Sequence, residues 1–313
     1  MRISWKRLVQ GIVLLLALGF MAILVQQQAT ALRSYQWQLA PGWAVLAVVS
    51  LELTWLFESA TWWVILRSLG GRLPYPRIVP IWFLSNIVRY IPGNVWQFLS
   101  MAELVAEHGV SRLVTLTSIV LHQVISIVVA IVLAAAYFAA TGQGAWFDRL
   151  RPLLWLAPLG LLLLQPRLLE RALNWILARF GRPPIRVTLT WRQILLLCLR
   201  YVVVWLAMGL SYAALVRALT PFPVAITPHL VAAWTAAYVV GFLSLLTPSG
   251  LGVREGVMIL LLNPILPQPL PALVAIVARL WMVLGELLGA GASLLARPAS
   301  LRLLARQRAP DNE

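Results

Sequence analysis

Two stretches of this sequence place an arginine beside turn-forming residues in the middle of apolar runs. The first reads Arg89-Tyr90-Ile91-Pro92-Gly93-Asn94-Val95-Trp96-Gln97. The second reads Thr247-Pro248-Ser249-Gly250-Leu251-Gly252-Val253-Arg254-Glu255-Gly256. Proline lacks an N–H donor and glycine accepts turn geometry, so each stretch is expected to break one helix and start another. A helix starting there points unsatisfied N–H groups, and about half a positive charge, into the break. With Arg89 and Arg254 beside them, the two breaks could bind an anion, and a phosphate suits both the N–H groups and the guanidinium fork. The candidate ligand-binding residues are Arg89, Pro92, Gly93, Asn94, Ser249, Gly250, Gly252, Arg254 and Glu255. A competing reading makes the arginines structural, with Arg254 paired to Glu255 or Glu103 to lock a hairpin.

Other ionisable side chains also fall within apolar runs, where each costs about 2.5–3.5 kcal/mol on insertion scales and is a functional candidate for that reason. Glu52, Glu58 and His122 are candidates for proton coupling. Arg279 and Glu286 share a helix face and are expected to pair with each other. His229 reads as a hydrogen-bonded packing residue, and Arg200 as a side chain that snorkels to the interface. Metal-ligand spacing, a phosphate-binding Gly-Lys loop, an H-E-x-x-H pair and a G-x-S-x-G elbow are all missing, so neither a cofactor nor a catalytic residue is expected.

The elements that must position these residues follow from composition. Of 313 residues, 61% are hydrophobic and 11% charged, against roughly half and a quarter in a soluble globular domain. The apolar runs are long enough to cross roughly 30 Å of hydrocarbon and lack dyad alternation, which implies helices. The expected fold is an all-α polytopic membrane protein: a single integral membrane domain over residues 1–313, with about six transmembrane helices and two re-entrant helical hairpins. The spans read as Leu8–Val25, Trp43–Leu66, Leu113–Phe138, Leu150–Gln165, Gln193–Val216 and Leu270–Ala290. The first is expected to be an uncleaved helix. The fifteen tryptophans are expected mostly at span ends, as an aromatic belt.

Charge sets the orientation. The net charge of +15 sits in short loops between apolar runs, so nucleic acid is not an expected partner. If both hairpins re-enter, only Arg33, Arg149, Arg151 and Arg217 lie outside, and the other loop arginines face the cytoplasm with both termini. Residues 166–192 become a basic cytoplasmic or interfacial connector and residues 297–313 a cytoplasmic tail. Residues 51–69 align without gaps on 201–219, matching Trp55-Leu56 to Trp205-Leu206 and Arg67-x-Leu69 to Arg217-x-Leu219. Each copy runs span, broken hairpin, span, over approximately 43–138 and 193–290, and the charge count orients the two oppositely. Inverted repeats with interrupted helices characterise many secondary transporters, whose sites lie at the repeat interface.

The two arginine motifs resemble the signatures of the lysylphosphatidylglycerol synthase transmembrane region, also called the flippase-like domain family of bacteria and archaea. The resemblance covers nearly the whole chain. Members often carry Lys where Asn94 stands and Gly where Ser249 stands. Nothing in the sequence resembles the soluble aminoacyl-transferring domain of the two-domain synthases, so lysyl transfer is not implied. The resemblance implies a lipid flippase: a transporter, not an enzyme, that moves a lipid with an anionic head group between the leaflets of a bacterial or archaeal cell membrane, often beside a glycosyltransferase or envelope pathway. The alternatives are an intramembrane enzyme acting on a polyprenyl-phosphate or phospholipid, and an accessory subunit of an envelope glycosyltransferase.

Overall fold

A computed structural model describes residues 39–90, 95–142, 154–179, 183–244 and 252–295, together with positions 26, 148, 151–152, 181 and 250. The regular elements among them are α1 (Pro41–Ser68), α2 (Tyr75–Ile87), α3 (Trp96–Ala106), α4 (Arg112–Thr141), α5 (Pro166–Arg179), α6 (Trp191–Leu219), α7 (Thr227–Leu243), α8 (Val253–Leu262) and α9 (Leu270–Leu295), with short 3-10 turns between some of them. The fold is all-α. Five described segments are long and apolar enough to cross a membrane: α1, α4, α6, α9 and Val224–Leu243, which joins a 3-10 turn to α7.

The two long helices α1 and α6 run antiparallel along their whole contact. Ala40 N–H donates to Ala218 O at 3.0 Å at one end, Ser211 Oγ to Ala47 O at 2.7 Å in the middle, and Arg200 Nε to Thr61 Oγ1 at 3.1 Å towards the other end. Pro41 opens α1, where a missing N–H costs nothing. A Thr190–Gln193 capping box opens α6.

Each of the two helices leads into a broken hairpin. In the first, Gln97 Nε2 donates to Asn86 Oδ1 at 2.6 Å and ties α3 to α2 beside the break. The arms have 13 and 11 residues, about 20 and 16 Å at 1.5 Å per residue, so neither crosses the bilayer alone. In the second, His229 Nε2 meets Leu261 O at 2.8 Å at the base, while Gly241 faces Arg254 near the break. Contacts at both levels make α7 and α8 antiparallel. The packing is crossed: α2 lies on α9, and α7 lies on α4. With α3 on α4 and α8 on α9, each hairpin is held by both of these long helices.

The structure departs from the sequence reading in three places. The expected span Leu150–Gln165 contains a 3-10 segment at Ala157–Leu164 instead of a long helix. A proline at position 158 and a glycine at 160 interrupt it. The belt reading of the tryptophans fails for Trp55, Trp62, Trp82, Trp205, Trp234 and Trp281, all buried in the core. Their indole N–H groups include three that find acceptors within the bundle: Trp62 on Ser118, Trp205 on Ser126 O and Trp281 on Ala47 O. Third, Arg279 and Glu286 are found against other partners, Glu255 and Arg89. The first expected span, Leu8–Val25, and the tail lie outside the described residues.

The connector carries α5, which buries Leu169 and Leu173 and exposes Leu168, Trp175 and Ile176. Asn174 exchanges two hydrogen bonds with the Ile185 backbone, and Thr188 Oγ1 donates to Ser68 O. The connector thereby returns to the end of α1 before α6 begins.

Candidate functional site

The second hairpin closes on two glycines. Gly250 has φ +68°, a left-handed conformation, and a Cβ there would lie 2.6 Å from Gly241 O. A Cβ on Gly241 would in turn lie 2.8 Å from the Cβ of Arg254. The motif thus draws the start of α8 against α7 and fixes where Arg254 leaves the backbone. The Arg254 guanidinium lies 4.1 Å from the Trp234 ring centre and 5.0 Å from that of Tyr238, and the residue is buried. Such stacking favours a guanidinium over an ammonium.

Glu255 has two partners within the protein. Its Oε2 accepts the Gly252 N–H at 2.7 Å, and its Oε1 faces Arg279 Nη1 at 3.8 Å. The positive end of α8 is therefore covered by a carboxylate.

In the first hairpin Arg89 sits in the 3-10 turn Val88–Tyr90, with Nη1 3.1 Å from Glu286 Oε1. Glu286 is 1% exposed. Glu103 instead forms a bidentate pair with Arg112, at 2.9 and 2.7 Å. Arg279 and Glu286, on one face of α9, each reach a different hairpin. Pro92, Gly93, Asn94 and Ser249 lie outside the described residues.

Described residues of both hairpins meet at one cavity of about 90 Å³. Arg89, Gln97 and Phe98 line it from the first hairpin, and Tyr238, Gly241, Phe242, Gly250 and Arg254 from the second. Glu58 and Trp55 of α1, His122, Gln123 and Ser126 of α4, and Trp205 of α6 form its walls. Among the described lining residues there are two guanidinium groups and one carboxylate. With Glu286 on Arg89 the formal charges balance, so an anion would be recognised by the guanidinium N–H donors and not by a net charge. Gln97, Gln123 and Ser126 add polar groups suited to hydroxyl or amide recognition. Gln97 stood within the first motif; Gln123 and the aromatic walls carried no signal beyond their apolar surroundings.

Glu58 and His122 come together here, with Oε1 3.7 Å from Nε2, and His122 Nδ1 lies 2.5 Å from the Tyr201 hydroxyl. The line runs from the cavity into the buried α4–α6 contact. Glu52 is elsewhere: it packs where α9 crosses α1 and α2, and a Cβ on Gly289 would lie 2.9 Å from its Oε2 and 2.2 Å from Phe83. Among the described residues no group of His, Cys, Asp and Glu could hold a metal ion.

The family model described as the lysylphosphatidylglycerol synthase TM region matches residues 7–289. No curated protein matches the sequence.

Proposed function

The chain belongs to the lysylphosphatidylglycerol synthase TM region family, and from that premise we propose that it moves a lipid with an anionic, phosphate-bearing head group between the leaflets of the cell membrane. The observation carrying this reading is that Arg89 and Arg254, from the two broken hairpins, line one cavity. The head group crosses through that cavity while the tails stay in lipid. A guanidinium has five N–H donors in a planar fork, so Arg89 can serve Glu286 and a phosphate together. Arg254, held against two rings, offers a charge of fixed position. The repeats are inverted, with both termini in the cytoplasm, so each hairpin enters from its own side. The Glu58–His122–Tyr201 line supplies proton coupling.

The test is leaflet exchange of fluorescent phosphatidylglycerol in proteoliposomes. Arg254→Gln, and Arg89→Gln in a Glu286→Gln background that leaves no orphaned carboxylate, should stay inserted. Each should lose about tenfold or more in exchange, the worth of a charge-assisted hydrogen bond of roughly 1.5–3 kcal/mol. Wild-type exchange in a stably folded variant carrying all three substitutions would end the proposal. A covalently altered lipid would point to the enzyme reading, and neither exchange nor chemistry to the accessory one.

A further inference from the structure

A second concavity runs along a different face of the α1–α6 pair and shares no lining residue with the cavity between the tips. Leu46, Leu53, Val203 and Leu210 form its exposed banks. Its floor holds Ser50, Thr54 and Ser211, whose hydroxyls are all spent inside the pair. Ser50 Oγ donates to Leu46 O at 2.6 Å, Thr54 Oγ1 to Ser50 O at 2.7 Å and Ser211 Oγ to Ala47 O at 2.7 Å. The groove therefore presents an apolar surface that asks for no polar partner along its length.

One end is different. Arg217, in the last turn of α6, closes the groove. Its guanidinium lies 5.1 Å from the Trp43 ring centre and 5.4 Å from that of Phe222, and Nη1 donates to Phe222 O at 3.3 Å. Among the described residues no carboxylate pairs with it. From Trp43 to Phe57 the α1 bank is about 21 Å long at 1.5 Å per residue. One leaflet is about half of a roughly 30 Å hydrocarbon core. A chain entering at the level of Arg217 thus reaches the bilayer midplane without leaving the groove. A transmembrane helix seated here would have to bring its own carboxylate to Arg217, whereas a phospholipid has its phosphate and its acyl chain in that order.

We propose that this groove is a binding site for an anionic phospholipid, with the phosphate on Arg217 and one acyl chain along the α1–α6 cleft. The site stands apart from the translocation reading and does not depend on it. It is tested with phosphatidylglycerol carrying a photoreactive group on its acyl chain, in phosphatidylcholine vesicles containing the full chain. Adducts should map to residues 46–57 and 203–214. Arg217→Gln should lower their yield about tenfold, the loss expected of one charge-assisted contact, and Ala207→Trp, which fills the groove, should abolish them. A diacylglycerol probe, with the same tails and no phosphate, should label the wild type as weakly as phosphatidylglycerol labels Arg217→Gln. Wild-type labelling in Arg217→Gln, or adducts spread evenly over the lipid-facing surface, would overturn the proposal. So would a dimer that excludes the probe and that Ala207→Trp dissociates, since a second copy would then be the occupant.

Discussion

The two hairpins present the same residue type to the same cavity but hold it by different physics. Arg89 of the first is ion-paired to Glu286 on α9 at 3.1 Å. Arg254 of the second is stacked over Trp234 and Tyr238, and the carboxylate beside it in sequence, Glu255, turns away to Gly252 and Arg279. The fastenings differ too. The first hairpin is joined across its arms by a side-chain hydrogen bond, Gln97 to Asn86. The second is joined by glycine against glycine, with backbone meeting backbone. A carboxylate partner can be displaced by a competing anion, whereas stacking on ring faces fixes the plane of the guanidinium. The first arginine is thus held by a charge and the second by ring faces.

The largest effect should come from breaking the buried pair on the first side. Glu286→Gln leaves the Arg89 charge without that carboxylate, and removing one partner of a buried pair costs about 3–5 kcal/mol. Thermal denaturation in mild detergent should show this loss. Arg89→Gln should restore most of it, and the double-mutant cycle should give a coupling well above that of surface pairs. Absence of coupling would mean that the first arginine is no more carboxylate-bound than the second.

Next in size is the glycine contact of the second hairpin. Gly250→Ala meets both a left-handed φ, costing about 1–2 kcal/mol, and a Cβ 2.6 Å from Gly241 O, a backbone atom that cannot step aside. A lower melting temperature and faster proteolysis near the break should accompany it. An unchanged melting temperature would show that the tip does not need the close approach.

The smallest effect concerns the hairpin bases. Glu103 and Arg112 hold the first with a charged fork, while the neutral pair Gln268–Asn263 sits beyond the second, with Gln268 Nε2 donating at 2.9 Å. The hydrogen bond from Arg112 holds the Glu103 carboxyl below its usual range. A lowered pKa contributes stability above the ordinary carboxylate value, and this is lost as pH falls through the lowered one. Both side chains are more than half exposed, so the loss is local and slight. Hydrogen-exchange protection at residues 103–112 should fall on acidification while that at residues 261–268 holds. Equal behaviour of the two would remove this contrast.

Much of this arrangement was legible in the sequence because lipid enforces simple rules. Span limits such as Trp43–Leu66 and Gln193–Val216 fall inside the observed helices Pro41–Ser68 and Trp191–Leu219. Pro-Gly and Pro-Ser-Gly marked the two breaks, and the cost of an intramembrane charge singled out Arg89, Arg254, Glu58 and His122. Partner choice was not legible. The spacing of Arg279 and Glu286 puts them on one face of α9, but only the packing of both hairpins on α9 decides that one meets Glu255 and the other Arg89. Nor could apolar context separate Trp82 or Trp205, which wall the cavity, from a tryptophan at the interface. The span expected at Leu150–Gln165 rested on hydropathy alone, which does not register the proline and glycine that spoil helical geometry there.

The position of α9 in the chain has a consequence for biogenesis. Chains are made from the N-terminus, so both hairpins leave the ribosome before Arg279 and Glu286 exist. Until α9 arrives, Arg89 and Glu255 lack these partners, and an intramembrane charge is costly while its ion pair is missing. The closing helix then settles both debts at once, which makes its insertion the committing event of assembly. A ribosome stalled before α9 should leave both hairpins exposed to the quality-control proteases of the membrane.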